Sequence, residues 1–295
     1  MNLHPSKGIE DIASRAMLVS LNISQFSAMK TDKKITAEVA VAHGADVNMG
    51  RYAKSVIEKK SLDKLRRLAG EIRSEHYRRT LPWSEDGARI LTSSGYQEYT
   101  AFMRKSSDAW DSEVSEFLDG WQSFVSDARV KLNGMFNPAD YPPIEKVAAK
   151  FRFRTSVKPV PVADDFRVAL GANEVSSIRA ELESSMADTV ELAMQAVWTQ
   201  MRDVVAKMAE RLKAYNPAKP GDAPFRETLV TNITELLEVL PSLNLTNDAN
   251  VARFTDSIRD LVQFDAQALR DNQWKRDDTA KRADAILADM SAFIS

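Results

Sequence analysis

The chain has 295 residues and a mass of 33.0 kDa, with 40 Lys and Arg against 42 Asp and Glu, a net charge of −2. That near-balance excludes a uniformly basic nucleic-acid-coating protein and a uniformly acidic tail. With 0 Cys, disulfide scaffolds, cysteine zinc sites, iron–sulfur clusters and thiol nucleophiles are excluded as well; only 10 Gly speaks against turn-rich β folds and glycine-loop enzymes.

Glu10 and Asp11 interrupt the apolar residues that come after Met1–Lys7, so no signal peptide is expected. The stretch Val190–Met201 is broken by Glu191, Gln195 and Gln200, which rejects a membrane span. A cytoplasmic protein without a membrane partner is the expectation. Along the chain, alternation of Val19, Leu21 and Ile23 within Leu18–Ser24 predicts a strand. Helical pattern comes next over Thr36–Ala42 and from Tyr52 to Arg79, with Ser61 a candidate cap ahead of Leu62, Leu65, Leu68 and Ile72. Asp86-Gly87, at the centre of Leu81–Leu91, predicts a hairpin. Tyr96–Leu132 reads as one long helix with Gly120 its weak point, stopped by Asn137-Pro138 and Pro142-Pro143.

A short helix over Ile144–Ala149 and a strand at Phe151–Val157 come next. Pro159 and Pro161 turn the next stretch into an edge strand or loop, with Phe166–Leu170 as its candidate partner. From the candidate cap Asn173, a second long helix runs to Tyr215, then a linker over Asn216–Pro224. Three shorter helical patterns close the chain at 225–240, 248–270 and 275–294.

In the second long helix Ile178, Leu182, Met186, Val190, Ala193, Val197, Met201, Val204, Met208, Leu212 and Tyr215 recur about every 3.7 residues. In the first, Trp110, Val114, Phe117, Trp121, Phe124, Ala128 and Leu132 do the same. These are core stripes, and Trp198 and the methionines need no cofactor to explain them. The expected fold is mainly α: an elongated antiparallel long-helix hairpin with small β elements and a C-terminal helical bundle segment. Its expected regions are 1–95 (strand, basic helix and hairpin), 96–215 (long helical hairpin with an inserted β element) and 225–295 (three helices).

The searches for chemistry return little. His4, His43 and His76 are far apart in sequence, and no H-E-x-x-H, G-x-S-x-G, G-x-G or G-K-[ST] pattern occurs. Asp46 with Glu58-Lys59-Lys60 has the outline of a metal-dependent nuclease, but such a motif sits on a strand and here the pattern is helical. No enzyme activity, catalytic residue, metal or cofactor is expected. Charge, by contrast, is patterned. Residues 1–158 hold 25 basic and 20 acidic residues, and residues 159–295 hold 15 and 22. Lys59, Arg66 and Arg73 recur every seven residues as one helical stripe, which Arg78, Arg79, Trp83 and Arg89 continue. Cations beside an aromatic ring suit contact with nucleic acid; the competing reading is long side chains lying over a core helix.

Three segments together carry a resemblance: Ser20–Ser24 with Lys33–Glu38, then His43-Gly-Ala with Gly50–Lys54, then Leu81-Pro-Trp83 with Gly87–Leu91. They resemble an uncharacterised family of proteins from tailed phages and integrative or conjugative elements, over residues of roughly 15 to 215. The family has no assigned chemistry, so the resemblance transfers no functional residue. It implies a setting near genes for a MoxR-type AAA+ ATPase and a von Willebrand factor A-type protein. The expected function is that of a non-enzymatic helical interaction or adaptor protein of a phage or mobile element, with an AAA+ ATPase as partner. The alternative is a salt-sensitive DNA- or RNA-binding accessory protein that uses helix 51–79 and hairpin 81–91.

Overall fold

Aliphatic alternation builds β1 (Ala16–Ser24), whose inward residues Ala16 and Leu18 are buried together with Val19. The computed structural model describes residues 12–84, 87–161, 172–219 and 225–293. It is mainly helical, 68% helix against 11% strand, with a small antiparallel sheet of order β4-β5-β1-β6. Its strands besides β1 are β4 (Leu81–Pro82), β5 (Arg89–Thr92) and β6 (Arg152–Pro159). Two compact units make up the chain. One comprises Met1–Ser20, His76–Tyr99 and Ser156–Ser295, and the other Leu21–Glu75 and Thr100–Thr155.

In the first unit β1 pairs antiparallel with β5, from Ala16 opposite Thr92 to Val19 opposite Arg89, and Leu81 of β4 lies opposite Ile90. The predicted hairpin is therefore present. Gly87 turns it with a φ of +89°, a conformation that glycine adopts without strain, while Asp86 lies outside the described residues. Helix α6 (Ala172–Ala214) begins one residue before the predicted cap and matches the long helix read from the sequence. It packs on α10 (Gln273–Met290), α7 (Thr228–Leu243) and β4. Met186, Ala193, Val197, Met201, Met208 and Leu212 of its predicted stripe are buried. Before Met186 the stripe runs out of core, and Leu182 is 37% exposed.

The expected helix over 248–270 is instead α8 (Ala249–Arg259), a 3-10 turn at Asp260–Val262 and α9 (Ala266–Asp271). Asp265 causes the restart: its carboxylate accepts the Ala268 N–H at 2.7 Å, as a cap. Candidate strand Phe166–Leu170 lies outside the described residues.

The second unit holds β2 (Met29–Thr31) and β3 (Ala53–Ser55), paired antiparallel with Lys30 opposite Lys54. Helix α1 (Lys33–Ala42) lies between them in sequence. The helical reading of Tyr52 onward is corrected here. The segment opens as β3, passes through a 3-10 turn at Lys59–Leu62 that contains Ser61, and becomes α2 only at Asp63–Arg78. Ladder pairing of Ala53–Ser55 with Met29–Thr31 holds the start of this segment extended, and Asp63 in the first turn of α2 suits its dipole.

The long helix expected over Tyr96–Leu132 is two, α3 (Tyr96–Asp119) and α4 (Trp121–Leu132), parted at Gly120. It ends at Asn133, with a φ of +45°, before either proline pair is reached. Around it Leu62 of the 3-10 turn and Leu65 and Ala69 of α2 pack with Trp110, Phe117 and Trp121, Val147 of α5 (Ile144–Ala148) and Phe151. The Phe117 and Phe151 rings meet edge to face at 5.3 Å.

A Cβ on Gly120 would lie 2.6 Å from the tip of the Phe124 ring. Gly120→Ala is expected to cost about 1 kcal/mol, at the low end for overpacking because a ring tip can turn aside. A fall in urea midpoint with an unchanged slope checks this.

Candidate interaction surface

Asp32 fixes the start of α1. Its carboxylate accepts from the Lys34 and Ile35 amides at 3.1 and 3.2 Å. Its carbonyl accepts the Thr36 hydroxyl at 2.7 Å, and that hydroxyl oxygen in turn accepts the Tyr52 amide at 3.0 Å. The other oxygen of Asp32 pairs with the Lys54 ammonium at 2.8 Å. Lys54 is 5% exposed and also meets Asp140 at 3.0 Å and the Met135 carbonyl at 2.6 Å, so all three of its protons have acceptors. Lys30 reaches Asp140 at 3.0 Å from outside.

Burial alone would lower the Lys54 pKa, but the hydrogen bonds to Asp32 and Asp140 outweigh it and raise the pKa. The hydrogen bond from Lys54, followed by that from the Ile35 amide, lowers the Asp32 pKa. For Asp140, burial works upward and the bonds from Lys54 and Lys30 win, lowering it. This closed cluster is a brace, with no open coordination position for a reactant.

On that brace stands a helix with no buried residue. After α1, Gly44 takes a φ of +60° and turns the chain, the Asp46 carboxylate accepts the Asn48 amide at 2.8 Å, and a 3-10 turn forms at Val47–Met49. The result is a pocket of about 290 Å³ whose lining includes Val39, His43, Val47, Met49 and Tyr52, with Arg51 as its cationic edge. Met49 is 84% exposed, and Val41, on the same helix, is 81% exposed. Isolated exposed hydrophobes are ordinary; apolar residues sharing one concavity mark an interaction site.

The predicted basic stripe is put to other uses. In the second unit Lys59 is exposed and its carbonyl accepts from Arg66 at 3.2 Å, while Arg66 also approaches Asp63 at 3.5 Å. Arg73 donates to the Ile23 carbonyl at 2.9 Å. In the first unit Arg78 donates to the Glu235 carbonyl at 2.7 Å, and Arg79 pairs with Glu98 at 3.2 Å. Arg89 donates twice to Thr80, to the hydroxyl and the carbonyl, each at 2.7 Å, and lies 4.7 Å over the Tyr77 ring. Trp83 is half-buried against the core.

Beside Arg89, the Nδ1 of His76 and the Tyr99 hydroxyl are 3.0 Å apart and both side chains are buried. Burial, and then the charge of Arg89, pushes His76 down to about 4, while burial pushes Tyr99 up. Neither Asp46 nor Glu58 stands ready for a metal: Asp46 caps a turn, and Glu58 is held by Lys60 at 2.8 Å and by Lys131. Among the described residues no group of three metal-ligating side chains occurs, and no helix is long and apolar enough to cross a membrane.

The sequence reading passed over the α1 pocket. Its signal was available in Val47 and Met49, two apolar residues inside the polar turn between His43 and Arg51. Compared with protein-family models, with curated proteins and with solved structures, the chain matches none.

Proposed function

We propose that the chain is a non-enzymatic interaction protein, an adaptor, and that its partner docks on α1 and the turn after it. The observation that carries this reading is the exposed apolar concavity formed by Val39, on a helix with no buried residue, and by Val47 and Met49 of the turn after it. Arg51 lines the same concavity and has no acceptor among the described residues, whereas the Asp46 carboxylate there is already engaged. The complementary partner is a protein segment that offers an apolar side chain flanked by a carboxylate. The resemblance to phage and mobile-element proteins makes an AAA+ ATPase subunit the first candidate to be tried. The nucleic-acid alternative has less support, because Arg73, Arg78, Arg79 and Arg89 already donate to protein oxygens.

The test begins with a photo-crosslinking residue at position 41 and, as control, at exposed Ala252 in the other unit. A discrete adduct from position 41 alone identifies the partner, which is then purified. Val39→Asp and Met49→Asp should each weaken its binding by about tenfold or more, as loss of a central apolar anchor does. Equal adducts from both positions, or unchanged affinity in both variants, would sink the proposal. Labelled oligonucleotides at two salt concentrations serve as the contrasting experiment, in which we expect no steeply salt-dependent binding.

A further inference from the structure

A second cavity, of about 300 Å³, lies in the first unit. It is lined by Lys207 and Arg211 of α6, by Arg226, and by Thr228 and Leu229 at the start of α7. Among the described residues three cations line it and no carboxylate does. None of the three has a hydrogen bond or ion pair among the described residues, and Glu210 and Glu227, their neighbours in sequence, pair with none of them. The surroundings make this unexpected, because the unit as a whole carries 21 basic against 27 acidic residues. Other cations nearby are engaged: Lys213 with Asp284 at 2.6 Å, Arg270 with the Phe225 carbonyl at 3.0 Å, and Arg276 with the Leu269 carbonyl at 3.0 Å.

Lys207 and Arg211 are four residues apart and share one helix face, a like-charge spacing that weakens a helix unless an anion sits between. The last turn of α6 explains Arg211 through the helix dipole, but leaves Lys207 and Arg226 unexplained. The site is also held in place. Buried Phe225, 4% exposed, packs edge to face on Tyr215 at 6.3 Å and receives the Arg270 bond, so the residue before Arg226 is anchored on two sides. Two guanidinium groups, one ammonium and a threonine hydroxyl face one concavity with no protein acceptor among the described residues, and a phosphate group supplies acceptors in that number. The volume is at the small end of ligand pockets.

We propose that this cavity binds the phosphate group of a small phosphorylated molecule. Inorganic phosphate, pyrophosphate and a 5′-phosphorylated oligonucleotide share that chemistry and are the three probes. Each is titrated calorimetrically into the full chain at low salt, with sulfate-free buffer. Saturable pyrophosphate binding is expected, with phosphate weaker. It should weaken by about tenfold or more in Lys207→Gln/Arg211→Gln and separately in Arg226→Gln, the loss expected for a charge-assisted hydrogen bond. All three side chains stand at the cavity surface, and a native circular-dichroism spectrum confirms that each variant is folded. Removing the like-charge pair should leave the thermal midpoint of the ligand-free protein equal to or above that of the parent. Absence of saturable binding at millimolar pyrophosphate, or binding that both variants leave unchanged, overturns the proposal. Binding of the oligonucleotide alone overturns it too, because the source is then a nucleic-acid backbone.

Discussion

Lys54→Ala is expected to destabilise the protein by about 3–5 kcal/mol, the cost of breaking a buried ion pair on one side only. Lys54 is 5% exposed and stands between two carboxylates whose pKa values are lowered, so its removal leaves both charges without their buried counterion. Lys30 still reaches Asp140 from outside, but among the described residues no second cation meets Asp32. The variant Lys54→Met/Asp32→Asn/Asp140→Asn, in which neither charge remains, should recover most of the loss, and asparagine can still cap α1.

The two variants also separate in acid. Without Lys54 the two carboxyl groups titrate nearer or above their ordinary values, so lowering the pH relieves Lys54→Ala while it harms the parent. Urea unfolding of the parent, Lys54→Ala and the triple variant at two pH values measures all of this. A single-variant cost below about 1 kcal/mol would place the cluster among ordinary surface pairs.

The second large effect is one of pH. His76 stays neutral down to about 4 in the folded chain, whereas an unfolded histidine takes up its proton near 6.5. Between those values the unfolded state binds more protons, so stability is full above pH 6.5 and falls as the pH drops toward 4. The loss is about 3 kcal/mol over that interval. Asp32 and Asp140 have lowered pKa values; their contribution is present above 3.8 and disappears only below it, in a separate window. His76→Gln can still bond the Tyr99 hydroxyl but cannot titrate. Its stability should therefore be nearly flat from pH 6.5 to 4 while the parent's slopes, as read from urea midpoints at three pH values. Parallel curves for the two proteins would show that some other group is responsible.

How far the sequence could be read depended on where each residue's partners lie. The stripe of α6 needed only its own spacing: Met186, Ala193, Val197, Met201, Met208 and Leu212 are buried as that spacing predicts, with Val190 and Val204 partly so. The first strand and the Gly87 hairpin were likewise legible, because alternation and turn chemistry are local properties. Ala53–Ser55 was not, because a strand of three residues has no measurable period and its partner, Met29–Thr31, lies more than a full helix away in sequence. For the same reason Lys54 was hidden inside a stretch that looked helical.

The basic stripe shows the converse. Arg73, Arg78 and Arg89 read as parts of one basic stripe, but their acceptors are the carbonyl of Ile23, the carbonyl of Glu235 and Thr80, and in two of these three cases the sequence offers nothing local to reveal it. Exposure at Val41 and Met49 is also a fact about absent neighbours, which spacing cannot supply.

The winding of the chain through its two units has a consequence for synthesis. Every residue of the second unit has left the ribosome once Thr155 emerges, while Ser156–Ser295 of the first is still inside the exit tunnel or untranslated. During that interval the nascent strands carry Leu18, Leu81 and Ile90, which join a core otherwise supplied by α6 and the helices after it. Those side chains wait, uncovered, until α6 and the helices packed on it have been made. A stalled or prematurely terminated polypeptide would release one finished unit attached to one that cannot close, and such apolar strand faces are what chaperones and proteases seize. Loss of Gln273–Met290 alone takes away a principal packing partner of α6, so the first unit cannot close until that helix has been made.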